Sequence, residues 1–96
     1  MENKKYLDKV LVHLVRGTHI DYEEDRMVTP FSFSLSLSTT HYLFLLPITS
    51  SSILSSAFYL HFSRYCKNHF GLTEDEIRYV MGEYKIIILT KIESGI

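Results

Sequence analysis

The chain has 96 residues, of which 46% are apolar, with one cysteine and a formal charge of −1. This length makes a single domain, 1–96, with a modest core, and the apolar content excludes wholesale disorder. The balanced charge excludes a global field that would draw in nucleic acid or an acidic membrane, and Cys66 alone cannot form an internal disulfide.

The opening MENKKYLDKV carries an acidic residue and no apolar run of signal-peptide length, so a cytoplasmic chain is expected. Residues 4–16 predict a helix. Leu7, Val10, Leu11, Leu14 and Val15 form one apolar stripe, with Asn3 placed to cap the start and Gly17 to end it. Thr18, Ile20 and Tyr22 alternate with His19, Asp21 and Glu23, as in a short half-buried strand. Met27 to Thr29 would be its hairpin partner across a turn near Glu24-Asp25, and Pro30 would end it.

Phe31 to Ser38 alternates apolar residues with serine. It reads as a strand that pairs with His41 to Leu46 around Thr39-Thr40, or as a poorly ordered serine-rich insert spanning 32–52. Between Arg26 and Arg64 there is no Asp, Glu, Lys or Arg at all. Thr49 to Ser52 offers N-cap candidates for a helix over about 53–70. Leu54, Ala57, Phe58, His61, Phe62, Tyr65, Cys66 and His69 share one face of that helix.

The junction 70–77 carries the densest local signals. Gly71 suits a left-handed helix end. Thr73 and Glu76 have capping-box spacing, Leu72 and Ile77 staple spacing, and Glu74 and Asp75 favour the positive end of a helix dipole. The last helix is expected from Glu74 to about residue 92. Ile77, Val80, Met81, Tyr84, Ile87 and Ile88 form a core stripe, although Gly82 and the β-branched run Ile86 to Leu89 favour it less. Tyr79, Gly82, Ile86 and Leu89 lie on the opposite side, again at helical spacing. The expected fold is therefore α+β and mostly helical: an N-terminal helix, one or two short β-hairpins and a C-terminal helical hairpin.

The sequence offers no recognisable catalytic, cofactor or metal site. His61, Cys66 and His69 share part of a face, but zinc takes about four ligands, and no paired C-x-x-C or H-E-x-x-H occurs. Cys66 lacks a third group to orient a histidine beside it. The runs Glu23-Glu24-Asp25 and Glu74-Asp75-Glu76 read as turn and helix-start charges, not as paired acids. Cys66, Phe70, Gly71, Leu72, Ile77 and Val80 match the small and apolar positions of a DNA-binding helix-turn-helix. The acidic first turn at Glu74 would repel phosphate, however, and Lys67 stands where a small residue is usual. Residues 42–62 have the length of a membrane span, about 20 residues, but Pro47, Thr49, Ser50 to Ser52, Ser55 and Ser56 dilute it.

Two flanking patches carry a resemblance. Thr18-x-Ile20-Asp21-Tyr22-Glu23 with Thr29-Pro30-Phe31, and Tyr65-Cys66-Lys67 with Gly71-Leu72-Thr73-x-x-Glu76-Ile77-x-Tyr79-Val80-x-x-x-Tyr84, resemble small uncharacterised proteins of marine tailed phages. The likeness covers the flanks and not residues 32–60. It implies a viral origin, in an infected host cell, and attaches no activity or site. The expected function is a non-enzymatic interaction or structural module, docking on itself or on another protein through Tyr79, Gly82, Ile86 and Leu89. The alternatives are a helix-turn-helix binding nucleic acid and a single-pass membrane protein.

Overall fold

Helix α1 spans Lys4–Arg16 and buries Leu7, Val10 and Leu14, the inner edge of its apolar stripe. The computed structural model describes residues 3–21, 23, 26–31, 34–36 and 53–94. Asn3 does not cap α1 with its side chain; its amide instead donates to the Glu76 carboxylate at 3.2 Å. Gly17 ends α1 in a right-handed conformation, so no left-handed turn calls for glycine there. Its role is clearance: a Cβ at Gly17 would lie 2.3 Å from the Pro30 ring.

Three strands of three residues follow: β1 (His19–Asp21), β2 (Arg26–Val28) and β3 (Ser34–Ser36). They form one antiparallel ladder in the order β1-β2-β3, with Ile20 opposite Met27 and Met27 opposite Leu35. Strands this short do not stand as independent hairpins. Of the strand expected over 31–38, Ser34–Ser36 is described as strand and its described partner is β2, while Phe31 lies in a turn. The proposed partner 41–46 and the N-cap candidates 49–52 lie outside the described residues. Met27, Thr29 and Phe31 turn inward at every second position and join the strands to the helices.

Helix α2 (Ser56–Phe70) starts at Ser55, whose hydroxyl accepts from the Phe58 N–H at 3.1 Å. Its buried stripe is Phe58, Phe62 and Cys66, narrower than the sequence implied: Leu54, Ala57, His61 and His69 are exposed. Gly71 then takes φ 65°, the left-handed conformation that glycine adopts without strain. Both halves of the capping box form at Thr73 and Glu76, and Leu72 and Ile77 are buried as the staple requires.

Helix α3 (Glu74–Glu93) runs unbroken through the β-branched segment. It buries Ile77, Val80, Met81, Tyr84 and Ile88, and α1 lies along it more extensively than α2 does. The centre of the core is aromatic. Phe31 meets Phe58 and Phe62 edge-on at 5.5 and 5.7 Å, and Tyr84 lies 5.1 Å from Phe62 and 5.8 Å from Phe58. Full burial of each such ring contributes about 2–3 kcal/mol. With helices of 13, 15 and 20 residues, the described fold is mostly helical.

Candidate interaction surface

The outer side of α3 follows from its inner side. A helix that buries 77, 80, 81, 84 and 88 turns 75, 78, 82, 83, 86, 90 and 93 away from the core. Ile86 is 63% exposed at the middle of this face, the highest value among the exposed large apolar residues of the described chain. Gly82 is exposed one turn earlier, and a Cβ built there meets nothing within 4 Å. Tyr79 and Leu89 are half-buried, leaning from the rim of the face onto the edge of the core. All four residues singled out by spacing therefore lie on one side, as an exposed centre with two shoulders.

The charges around the face are ordered. Arg78 and Lys85 flank the Tyr79–Leu89 line on one side, and Glu76 and Glu83 on the other. Arg78 makes an ion pair with Asp75 at 2.9 Å, but both side chains are solvent-exposed, so the pair adds little stability. Glu76 is held below the usual carboxylate range, chiefly by the Thr73 backbone N–H and then by the Asn3 amide.

The remaining candidates do not converge. Among the described residues no group of three or more His, Cys, Asp or Glu side chains could hold a metal. Cys66 is wholly buried, and burial pushes its thiol up to about 12, the reverse of an activated nucleophile. His13 and His69 serve an aromatic cluster at the end of α2: His69 stacks on Tyr65 at 4.5 Å, and His13 meets Phe70 edge-on at 5.5 Å. A cleft of about 180 Å³ between α2 and α3 is lined by Tyr59, Ser63, Arg64, Lys67, Glu74 and Ile77. That is below the range of roughly 300–1,000 Å³ usual for small-molecule sites. No helix among the described residues is long and apolar enough to cross a membrane.

Some features had no clear sequence signal. The bond between Asn3 and Glu76 spans 73 positions, and nothing local marks it. The sorting of charge on either side of the Tyr79–Leu89 line was legible from helical periodicity once the seam was drawn. Comparison of the chain with known protein families, with curated proteins and with solved structures returns no match.

Proposed function

We propose that the chain is a non-enzymatic interaction module that self-associates through the outer face of α3. One observation carries this reading: Ile86 stands 63% exposed beside the open surface at Gly82. A large aliphatic side chain next to a position with no side chain is a knob beside a hole. A helix face of that form gains by burying both. The acidic first turn of α3, with Glu74 and Asp75 exposed, weighs against the nucleic-acid reading, because phosphate would meet like charge there. The resemblance to phage proteins would place the contact in the cytoplasm of an infected host cell.

Sedimentation velocity over a concentration series tests the proposal. The wild-type chain is expected to show reversible association, and Ile86→Glu to abolish it while leaving the helical circular dichroism unchanged, because the side chain is already in solvent. A wild type that stays monomeric at millimolar concentration removes the proposal.

A further inference from the structure

We infer that the occupant of the α3 face is a second copy of the same chain, lying parallel to the first about a two-fold axis. This inference rests on the self-association reading and adds its direction. Tyr79, Gly82, Ile86 and Leu89 are spaced three, four and three positions apart, which is the alternation of a and d positions in a heptad. With Tyr79 at a, the flanking e positions are Glu76, Glu83 and Thr90, and the flanking g positions are Arg78 and Lys85. One flank is thus acidic and the other basic.

The sorting of charge decides the direction. In a parallel pair the g flank of one helix faces the e flank of the other, so Arg78 reaches Glu83 of the second copy on both sides of the axis. Lys85 then meets the neutral Thr90 of the second copy, at no electrostatic cost. In an antiparallel pair, g faces g and e faces e. About the centre of the seam Lys85 would crowd against its own equivalent and Glu83 against another Glu83, while Arg78 would lie level with Thr90 and Ile92 and meet no carboxylate. Repulsion on both flanks disfavours that arrangement.

The structure keeps the required groups available. Arg78 and Glu83 are exposed, and a guanidinium has donors enough to hold Asp75 and a second carboxylate together. The other acidic residue of that flank, Glu76, is occupied by Thr73 and Asn3. The seam has definite ends, because Asp75 and Glu93 occupy the next d and a positions and would place carboxylate against carboxylate beyond Tyr79 and Leu89. Four apolar or open positions per chain make a short seam. A contact of that size is weak and reversible, at the low end of interface areas.

The test uses the full chain with variants at three exposed positions. Arg78→Glu and Glu83→Arg should each weaken association about three- to tenfold, and the double swap R78E/E83R should restore it. Glu93→Cys, at the end of the seam, should form an intermolecular disulfide under mild oxidation, with Cys66 sealed in the core. In an antiparallel pair centred on the seam the two residues 93 would stand roughly 27 Å apart and could not join. If the wild type associates and Ile86→Glu abolishes it, yet neither single charge swap weakens association and no 93–93 disulfide forms, the parallel direction is overturned while the interaction surface stands. If the wild type is monomeric, both fall.

Discussion

Thr18, just past the end of α1, and Tyr84 of α3 form a buried polar link whose strength can be dissected. Their hydroxyl oxygens lie 2.7 Å apart, and Thr18 Oγ1 also donates to the Leu14 carbonyl at 2.7 Å. The one hydrogen of Thr18 is committed to Leu14, so Tyr84 must donate to Thr18. The two deletions are therefore unequal. Tyr84→Phe removes a donor and leaves Thr18 still bonded to Leu14, a loss of about 1 kcal/mol. Thr18→Val keeps the shape but strands the Tyr84 hydroxyl without its acceptor in a site with 0% exposure and removes the Leu14 bond as well. Stranding a buried hydroxyl costs roughly 1–3 kcal/mol, so Thr18→Val should cost about 2–3 kcal/mol.

In the double variant no hydroxyl is left stranded, so it should be destabilised by at least about 1 kcal/mol less than the sum of the singles. Urea unfolding followed by the far-ultraviolet circular dichroism of the helices gives all four corners of this cycle. Domains of this kind are stable by about 5–15 kcal/mol in total, so each step is measurable. Additivity to within about 0.3 kcal/mol, or Tyr84→Phe costing more than Thr18→Val, would refute the assignment of donor and acceptor.

Two further outcomes follow from buried polar groups. Burial pushes the Cys66 thiol and the Tyr84 phenol each up to about 12, from ordinary values of 9.0 and 10.0. The unfolded chain therefore loses these protons first. Stability is complete below pH 9 and falls as pH rises towards 12, by about 1 kcal/mol per pH unit for each group engaged. Urea midpoints at pH 8 to 11 check this, and Tyr84→Phe should flatten the decline above pH 10; a flat wild-type profile would contradict it. Ser63 Oγ is buried and unpaired among the described residues, so Ser63→Ala should stabilise the protein by about 1 kcal/mol. A loss of stability on thermal unfolding would show that the hydroxyl has a partner after all.

The parts legible in the sequence are those decided within a few neighbours. The capping box at Thr73 and Glu76 and the left-handed Gly71 depend only on contacts inside one turn, and they form as the local pattern requires. The span of α1 follows its apolar stripe, although neither Asn3 nor Gly17 ends it by a local cap. Partner choice is another matter. Alternation shows which residues of 31–38 share a face, but not that Ser34–Ser36 will pair with β2. The helical wheel of α2 groups His61 and His69 with Phe58 and Phe62, yet Phe31 and Tyr84 cover only the narrower stripe. Gly17 ends α1 where expected, for a reason that lies in Pro30, thirteen positions on.

The same contrast explains why the candidate surface depends on α3 staying helical. Ile86, Ile87 and Ile88 are β-branched, and a strand would set Ile86 and Ile88 on one face. In a helix they point about 200° apart. Ile88 is 2% exposed and Ile86 63%, so the two are separated as a helix requires. What overrides the local preference is the frame set upstream. The capping box starts the helix at Glu74, and burial of Ile77, Val80, Met81 and Tyr84 fixes its phase before the β-branched run begins. Continuing in that phase buries Ile88 against the core and leaves Ile86 facing out beside Gly82. The exposed isoleucine is therefore a consequence of how the core holds the helix, and a substitution that loosened Tyr84 should blur the outer face along with the inner one.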